Sequence, residues 1–515
     1  MQALKKTNIL FLLIFTFLFS SIPFQWTGTA QAPTHSYNRT AEGMPSIAEL
    51  SQKIDKVLSH KHLSTTKFAV AIYSERANQY IYKKNIDQPL VPASNSKLVT
   101  TYTLLKNFGK DYTLNTDIYT DADSLSSVLD GNVYLFGKGD GLLSISDLED
   151  LADQLYRQGI REIKGSVYAD PSFFDSETER IQYSSDRDLV EATAPITSIS
   201  LDRNIATILV KANSNIGNKV SVQVIPKSPA FNVVVNAKIV GKSGGKGKGK
   251  KKQAARNVNS IKVTTKANAD GTQTFFVNGN LTKSLSTSYT HYIKNAPLVA
   301  AGSLKERIKA LGIKINGNFS SREMSHLENQ FLKIATVKRD VFKVIDIVNK
   351  ESNNWLAETL FKALGSLSNK DARNVRAAQE LIDNTMKTNQ IPFEDCVIND
   401  GSGLARQTKV SAKTFIHLLL DANKSPFSEK FFNSLAIAGV DGTIKKRFSG
   451  SAVSHRVAAK TGTHRNVSSL SGRMQMIRGD YLFFSFIFNG PNVGFYKGIE
   501  NSLLELLADF EKSNH

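Results

Sequence analysis

The hydrophobic positions fall into three textures along the chain. Ile47, Leu50, Ile54, Val57 and Leu58 recur at three- and four-residue intervals, which predicts an amphipathic helix over 47–58. Two strands follow at 68–74 and 79–83, joined by a polar turn. The run Phe68-Ala69-Val70-Ala71-Ile72 alternates poorly and reads as a buried strand. Next comes Val91-Pro92-Ala93-Ser94-Asn95-Ser96-Lys97 and an apolar continuation from Leu98 to Leu105, which predicts a buried helix from Ser94 onward.

Between 109 and 300 the texture changes. Short β-rich pieces stand at 112–119, 131–136, 165–170, 206–211, 219–225, 232–240, 260–265 and 273–278, with one helix over 146–158 ending at Gly159. Regular turns between short strands predict a β-rich insertion. Helices return over 300–311, 342–349, 354–364, 374–389 and 412–422. Strands at 467–476 and 480–489 and a helix over 495–511 close the chain. A helix and hairpin at one end, with two strands and a helix at the other, predict one sheet built across the insertion, since the termini of a domain commonly lie close together.

Composition changes the picture in three places. The chain has 515 residues, 41% hydrophobic and 22% charged, enough for several globular domains. Residues 1–32 join Lys5 and Lys6 to the apolar run Ile9–Phe15 and then to small residues around Ala30 and Ala32, the layout of a secretory signal peptide. A retained membrane anchor is the alternative. Either way the chain is expected outside the cytoplasm, at the cell wall or membrane surface. The single cysteine, Cys396, excludes an internal disulfide and reads as packing within a buried strand at 393–398.

The net charge of +19 includes six lysines between 242 and 252, in a low-complexity tract expected at a loop tip. Such an excess favours polyanions. No nucleic-acid module signature is present, so the expected partner is an anionic wall polymer or membrane surface, with a merely solvated basic face as the alternative. Replacing those lysines with serine is expected to weaken wall retention at low salt. Unchanged retention would remove the idea.

Three short motifs carry candidate chemistry. Ser94 and Lys97 stand three apart, so on a helix they share a face and place an amine beside a hydroxyl that needs a base to become a nucleophile. The same spacing at Ser64/Lys67 and Ser243/Lys246 lacks the long apolar continuation. Ser352-Asn353-Asn354 opens a helix; Ser352 suits either an N-cap or a proton relay, and Asn354 suits holding a peptide group. Lys460-Thr461-Gly462-Thr463 stands just before the C-terminal strand pair, where a substrate backbone can add as a strand and a lysine can meet a carboxylate.

The order serine-x-x-lysine, serine-x-asparagine, lysine-threonine-glycine is the set found in penicillin-recognising serine enzymes. Asp400-Gly401-Ser402-Gly403-Leu404, Gly439-Val440-Asp441-Gly442-Thr443, Gly131–Leu135 and the stretch from Gly159 through Gly165 to Asp170 extend the match. With 258 positions from Ser94 to Ser352, the mature chain resembles the class-C penicillin-binding proteins, D-alanyl-D-alanine carboxypeptidases and endopeptidases with a long insertion between the first two motifs. A class A β-lactamase has a far shorter gap.

The resemblance implies an α/β fold, a transpeptidase (β-lactamase-like) sandwich on an antiparallel sheet with nested β-rich inserted domains. The expected division is a peptidase domain of 45–108 with 300–515, an inserted domain of 109–205 with 276–299, and a nested domain of 206–275. It implies that Ser94 attacks the carbonyl of the penultimate D-alanine of a peptidoglycan stem peptide and that Lys97 takes its proton. The N–H groups of Ser94 and Thr463 would form the oxyanion hole. Ser352 and Lys460 would pass a proton to the leaving D-alanine, Asn354 would hold the acyl chain, and Lys460, Thr461 and Thr463 would bind the terminal carboxylate, with Gly462 allowing close approach. β-Lactams would be trapped at Ser94, and no metal or organic cofactor is implied. Family members carry a tryptophan-bearing segment ending in an aspartate that binds the diamino acid's ammonium; here 179–188 has no tryptophan, and Asp186 or Asp188 would have to serve. A non-catalytic wall-binding protein on the same fold, or a β-lactamase, are the competing readings.

Overall fold

A computed structural model describes residues 47–513, apart from 185, 187–190, 245–254, 325–326 and 370–374. The expected leader at 1–32, Asp188 and most of the lysine tract lie outside the described residues. Among the described residues no helix is long and apolar enough to cross a membrane.

The two ends of the chain do build one sheet. Strands β1 (Lys67–Ser74) and β2 (Gln79–Lys84) join β3 (Ala436–Ile437), β4 (Val457–His464), β5 (Val467–Gln475) and β6 (Tyr481–Asn489) in the order β3-β4-β5-β6-β1-β2, every pair antiparallel. The poor alternation in β1 has a physical cause, because the strand is central and covered on both faces. Phe68, Val70 and Ile72 join Phe484, Phe486 and Phe488 under α1 (Ile47–Leu58) and the C-terminal helix Val493–Ser513. Ala69 and Ala71, with Phe483 and Ile487, belong to the core on the other face, where helix Ala412–Lys424 lies closest to these strands. Ser469 and Ser471 on that face hold the turn that precedes helix α2 (Ser96–Phe108). Ten consecutive residues of α2, Ser96 to Leu105, are buried, so the helix is central and covered all round rather than amphipathic.

The insertion is larger than the sequence suggested. Strand Leu332–Asp340 pairs antiparallel with Thr113–Thr120 in a five-stranded sheet that also takes Phe319–Ser321, Val167–Asp170 and Val133–Gly137. Residues from 300 to 340, expected with the peptidase segments, therefore belong with the insertion, and helix Ala296–Ala310 packs into its core. The nested β-rich part is wider too, since Ile205–Lys211 pairs with Ser286–Tyr292. The expected strand over 232–240 divides into Phe231–Val235 and Lys238–Val240, on different sheets. Cys396 is half-buried in a turn rather than a buried strand, its Sγ 3.5 Å from Thr414 Oγ1.

Candidate active site

Ser94 sits one step ahead of its expected place. Residues Ala93–Asn95 form a 3-10 turn, and α2 begins at Ser96. The turn is clamped to the sheet: Ser469 Oγ donates to the Pro92 carbonyl at 2.6 Å, and Asn95 Nδ2 donates to Ser471 Oγ at 2.8 Å. Gly462 makes the clamp possible. A Cβ there would lie 2.2 Å from Ser469 Oγ and 2.4 Å from the Pro92 oxygen. Gly462→Val is expected to push β4 off the nucleophile turn, costing about 1–3 kcal/mol of stability and slowing penicillin acylation. A melt and a labelling time course check this, and wild-type values in both would refute the clamp.

Lys97 is fully buried, and its Nζ meets three oxygens: Ser94 Oγ at 2.8 Å, Asn354 Oδ1 at 2.8 Å and the Ser402 carbonyl at 2.6 Å. Two of these are carbonyl-type acceptors with no proton to give. A neutral amine must spend its two N–H bonds on them, which turns its lone pair toward Ser94, the one partner carrying a proton. The side-chain amide of Asn354 is fixed in this sense because its Nδ2 donates to Glu191 on the far side. Burial lowers the Lys97 pKa from its usual 10.5 to about 8, against the opposing pull of Asp400, Glu358 and Glu191.

The second motif opens helix α3 (Asn354–Ser368). Its N-cap is Asn353, whose Oδ1 accepts from Leu356 N at 2.9 Å, so the capping role considered for Ser352 falls to its neighbour. Ser352 itself adopts φ +59°, a left-handed conformation costly for a residue with a Cβ, and accepts from Lys460 Nζ at 2.9 Å. Lys460 lies within β4 rather than before it, and its Nζ also donates to the Thr461 carbonyl at 2.9 Å. Burial, and then the charge on Lys97, hold its pKa well below the ordinary lysine value. Strand β3 covers only Ala458 and Ala459 of β4, leaving 460–464 as an open edge. Beside it Thr461 Oγ1 donates to Thr443 Oγ1 at 2.8 Å, so the Gly439–Thr443 stretch borders the same edge.

Ser94, Ser352, Asn354, Thr461, Gly462 and Thr463 line one cleft of about 670 Å³, with Lys97 and Lys460 buried beside it. Asp186 is not among the described residues lining it. Its carboxylate lies 4.0 Å from the Arg180 guanidinium and accepts from Arg406 N at 3.4 Å, so the expectation that it receives an ammonium group is corrected. Two carboxylates line the cleft among the described residues: Glu500, held by Ser468 and Arg447, and Glu191, which accepts from Asn354. Sequence reasoning also passed over Glu358. The available signal was a lone carboxylate amid Trp355-Leu356-Ala357 and Thr359-Leu360-Phe361, which forces a buried charge to find partners. Among the described residues no cluster of His, Cys, Asp or Glu has metal-binding geometry.

A family model described as D-Ala-D-Ala carboxypeptidase 3 (S13) matches residues 50–509. The chain is 25% identical over 477 residues to a D-alanyl-D-alanine carboxypeptidase from an Actinomadura species, spanning 90% of this chain and 85% of that one. It is 24% identical to the D-alanyl-D-alanine carboxypeptidase DacB of Haemophilus influenzae, over 81% and 84% of the two chains. The crystal structure of penicillin binding protein 4 from H. influenzae superposes with a TM-score of 0.65 at 22% identity, covering 90% of this chain and 99% of that one. The same protein complexed with a β-lactam gives 0.64.

Proposed function

The chain belongs to the D-Ala-D-Ala carboxypeptidase 3 (S13) family, and on that premise we propose that Ser94 is the nucleophile and Lys97 the base of a serine DD-peptidase acting on peptidoglycan stem peptides. The observation that carries this assignment is the partner set of Lys97, whose two obligate acceptors leave the amine lone pair for the Ser94 proton.

In the first step Ser94 Oγ bonds to the carbonyl carbon of the penultimate D-alanine while its proton passes to Lys97. The oxyanion lies between the N–H groups of Ser94 and Thr463. The C–N bond then breaks, and Ser352 with Lys460 delivers a proton to the departing D-alanine. Thr461, Thr463 and Lys460 hold the terminal carboxylate at the open edge of β4, with Gly462 admitting the close approach. Asn354 borders the acyl chain, and Glu191 takes the place expected of Asp186 beside it. Water hydrolyses the acyl-enzyme, and a β-lactam stops at that stage. No step calls for a metal or organic cofactor.

A second activity, cleavage of cross-links, is favoured by the far end of the cleft. Its lining also takes in Arg447, which is paired with Glu500, and Arg465 and Lys497, giving room and net positive charge for a leaving group larger than D-alanine. Intact motifs argue against a non-catalytic wall-binding protein on this fold. The peptidase acts outside the cytoplasm, where its polymer lies, and the leader expected at 1–32 supplies the route; the lysine-rich tract is assigned to anionic wall polymer or membrane surface.

The test is incubation of the folded protein with a stem pentapeptide, a cross-linked muropeptide dimer and penicillin. Released D-alanine and a penicilloyl adduct mapped by mass spectrometry to the peptide containing Ser94 are expected. An adduct elsewhere, or none, overturns the assignment. Rapid turnover of penicillin would make it a β-lactamase instead.

A further inference from the structure

We propose that Glu358 is a positioning residue for the acylation step, holding the Gly401–Ser402 backbone against Lys97 and shaping the field in which that amine takes the Ser94 proton. The role rests on the assignment of Lys97 as the base.

Glu358 stands one turn after Asn354 on α3, so both share the face turned toward Lys97. Its two oxygens accept from consecutive backbone groups, Oε1 from Ser402 N at 2.9 Å and Oε2 from Gly401 N at 3.1 Å. A carboxylate gripping two successive N–H groups fixes the peptide planes between them, and the next carbonyl, Ser402 O, is the one that meets Lys97 Nζ at 2.6 Å. The loop is pinned from the opposite side at Gly403, where φ is +79° and a Cβ would lie 2.0 Å from the Ala93 carbonyl oxygen. Nothing in this arrangement touches substrate, so Glu358 acts through Lys97.

The charges around it make the grip more than mechanical. Glu358 and Asp400 are both fully buried. Asp400 accepts from Gly403 N at 3.0 Å and Ala405 N at 2.8 Å, and faces Arg180 at 3.4 Å. Tyr183 donates to Glu358 Oε2 at 3.0 Å. Lys362, one turn further along α3, is engaged by Asp175 and lies over the Tyr183 ring. Glu191 approaches from the cleft wall through Asn354. Arg180, itself shared with Asp186, serves Asp400, and Lys460 beyond Lys97 is turned to Ser352, so among the described residues the cation facing Glu358 near the nucleophile is Lys97. Burial, and then the Asp400 charge, raise the Glu358 pKa, while the Glu358 charge in turn pulls the Lys97 pKa upward against its burial.

Two variants are told apart by the pH limb. Glu358→Gln removes the negative charge that favours the Lys97 ammonium and, because its amide nitrogen cannot accept, also one of the two backbone contacts. The amine is then neutral at lower pH but a weaker base. The acidic limb of the penicillin acylation rate should move down by about half a pH unit or more, and the plateau should fall roughly tenfold. Glu358→Asp keeps the charge but is one methylene short of spanning both N–H groups, so the plateau falls while the limb stays in place. Should Glu358→Gln fail to fold, Tyr183→Phe removes a donor from the carboxylate, raises its pKa and moves the limb in the same direction by less.

Acylation rates are measured against pH for each variant alongside its melting temperature. Limbs unchanged in every folded variant, with losses that follow the melting temperature alone, would overturn the proposal. Failure of the wild type to acylate would instead indict the assignment of Ser94 and Lys97.

Discussion

Ser94→Ala protein is expected to fold as the wild type does and to take no covalent penicillin label. While Lys97 is protonated, the hydroxyl accepts one hydrogen bond from its ammonium and donates a long one of 3.3 Å to the Ser402 carbonyl. Losing it should cost about 1 kcal/mol of stability. Lys97 keeps its other two acceptors, so the amine stays in place. The chemistry has no such reserve: without the oxygen no ester forms, so the signal should disappear rather than decline. Gel fluorescence and intact mass read this directly. A label retained at wild-type rate would place the nucleophile elsewhere.

Lys97→Met tests the base while leaving the nucleophile. Methionine matches the lysine stem in length and removes the cost of desolvating an amine, but it leaves Asn354 Oδ1 and the Ser402 carbonyl without that donor. These effects oppose each other, so the net stability change should stay within about 3 kcal/mol. Acylation should fall by about 10²- to 10⁴-fold, the usual worth of a positioned base. The pH dependence is equally specific. With a Lys97 pKa of about 8 the amine is mostly protonated and useless as a base at lower pH. Wild-type acylation should therefore rise with pH up to about 8 and level off above it. The methionine variant should lose that rise. A variant that is slow but keeps the same limb would mean that another group accepts the proton.

Much of this was legible in the chain because several constraints agreed locally. The helix behind Ser94, the C-terminal hairpin and the closing helix all carry long, unambiguous hydrophobic patterns, and three short motifs in one order point to one chemistry. What escaped depends on contacts distant in sequence. Leu332–Asp340 pairs with Thr113–Thr120 across more than two hundred residues, and Phe319–Ser321 with Val167–Asp170 across about 150; these pairings tie the stretch from 300 to 340 to the insertion. Val457–His464 was hidden as a strand because its motif glycine and polar residues mask the alternation, although its partner Val467–Gln475 was clear. Asp186 lies beside Arg180 rather than in the cleft, and Arg180 is a buried cation that no local pattern announces. Glu358 was passed over for the opposite reason: its neighbours are so apolar that the helix reads as ordinary core.

The contacts reaching Lys97 from outside its own helix carry a lesson for engineering. Arg180, Tyr183 and Glu191 all lie within the insertion, and they touch Asp400, Glu358 and Asn354 respectively. The insertion is thus not a cassette that can be looped out to leave a minimal penicillin sensor. A truncated protein would keep every motif residue and the whole six-stranded sheet, yet its reactive amine would sit beside two buried carboxylates stripped of their counter-charge and donor. Miniaturising this enzyme would mean redesigning that buried layer first, and transplanting the insertion between relatives would succeed only if these three side chains travelled with the residues they meet.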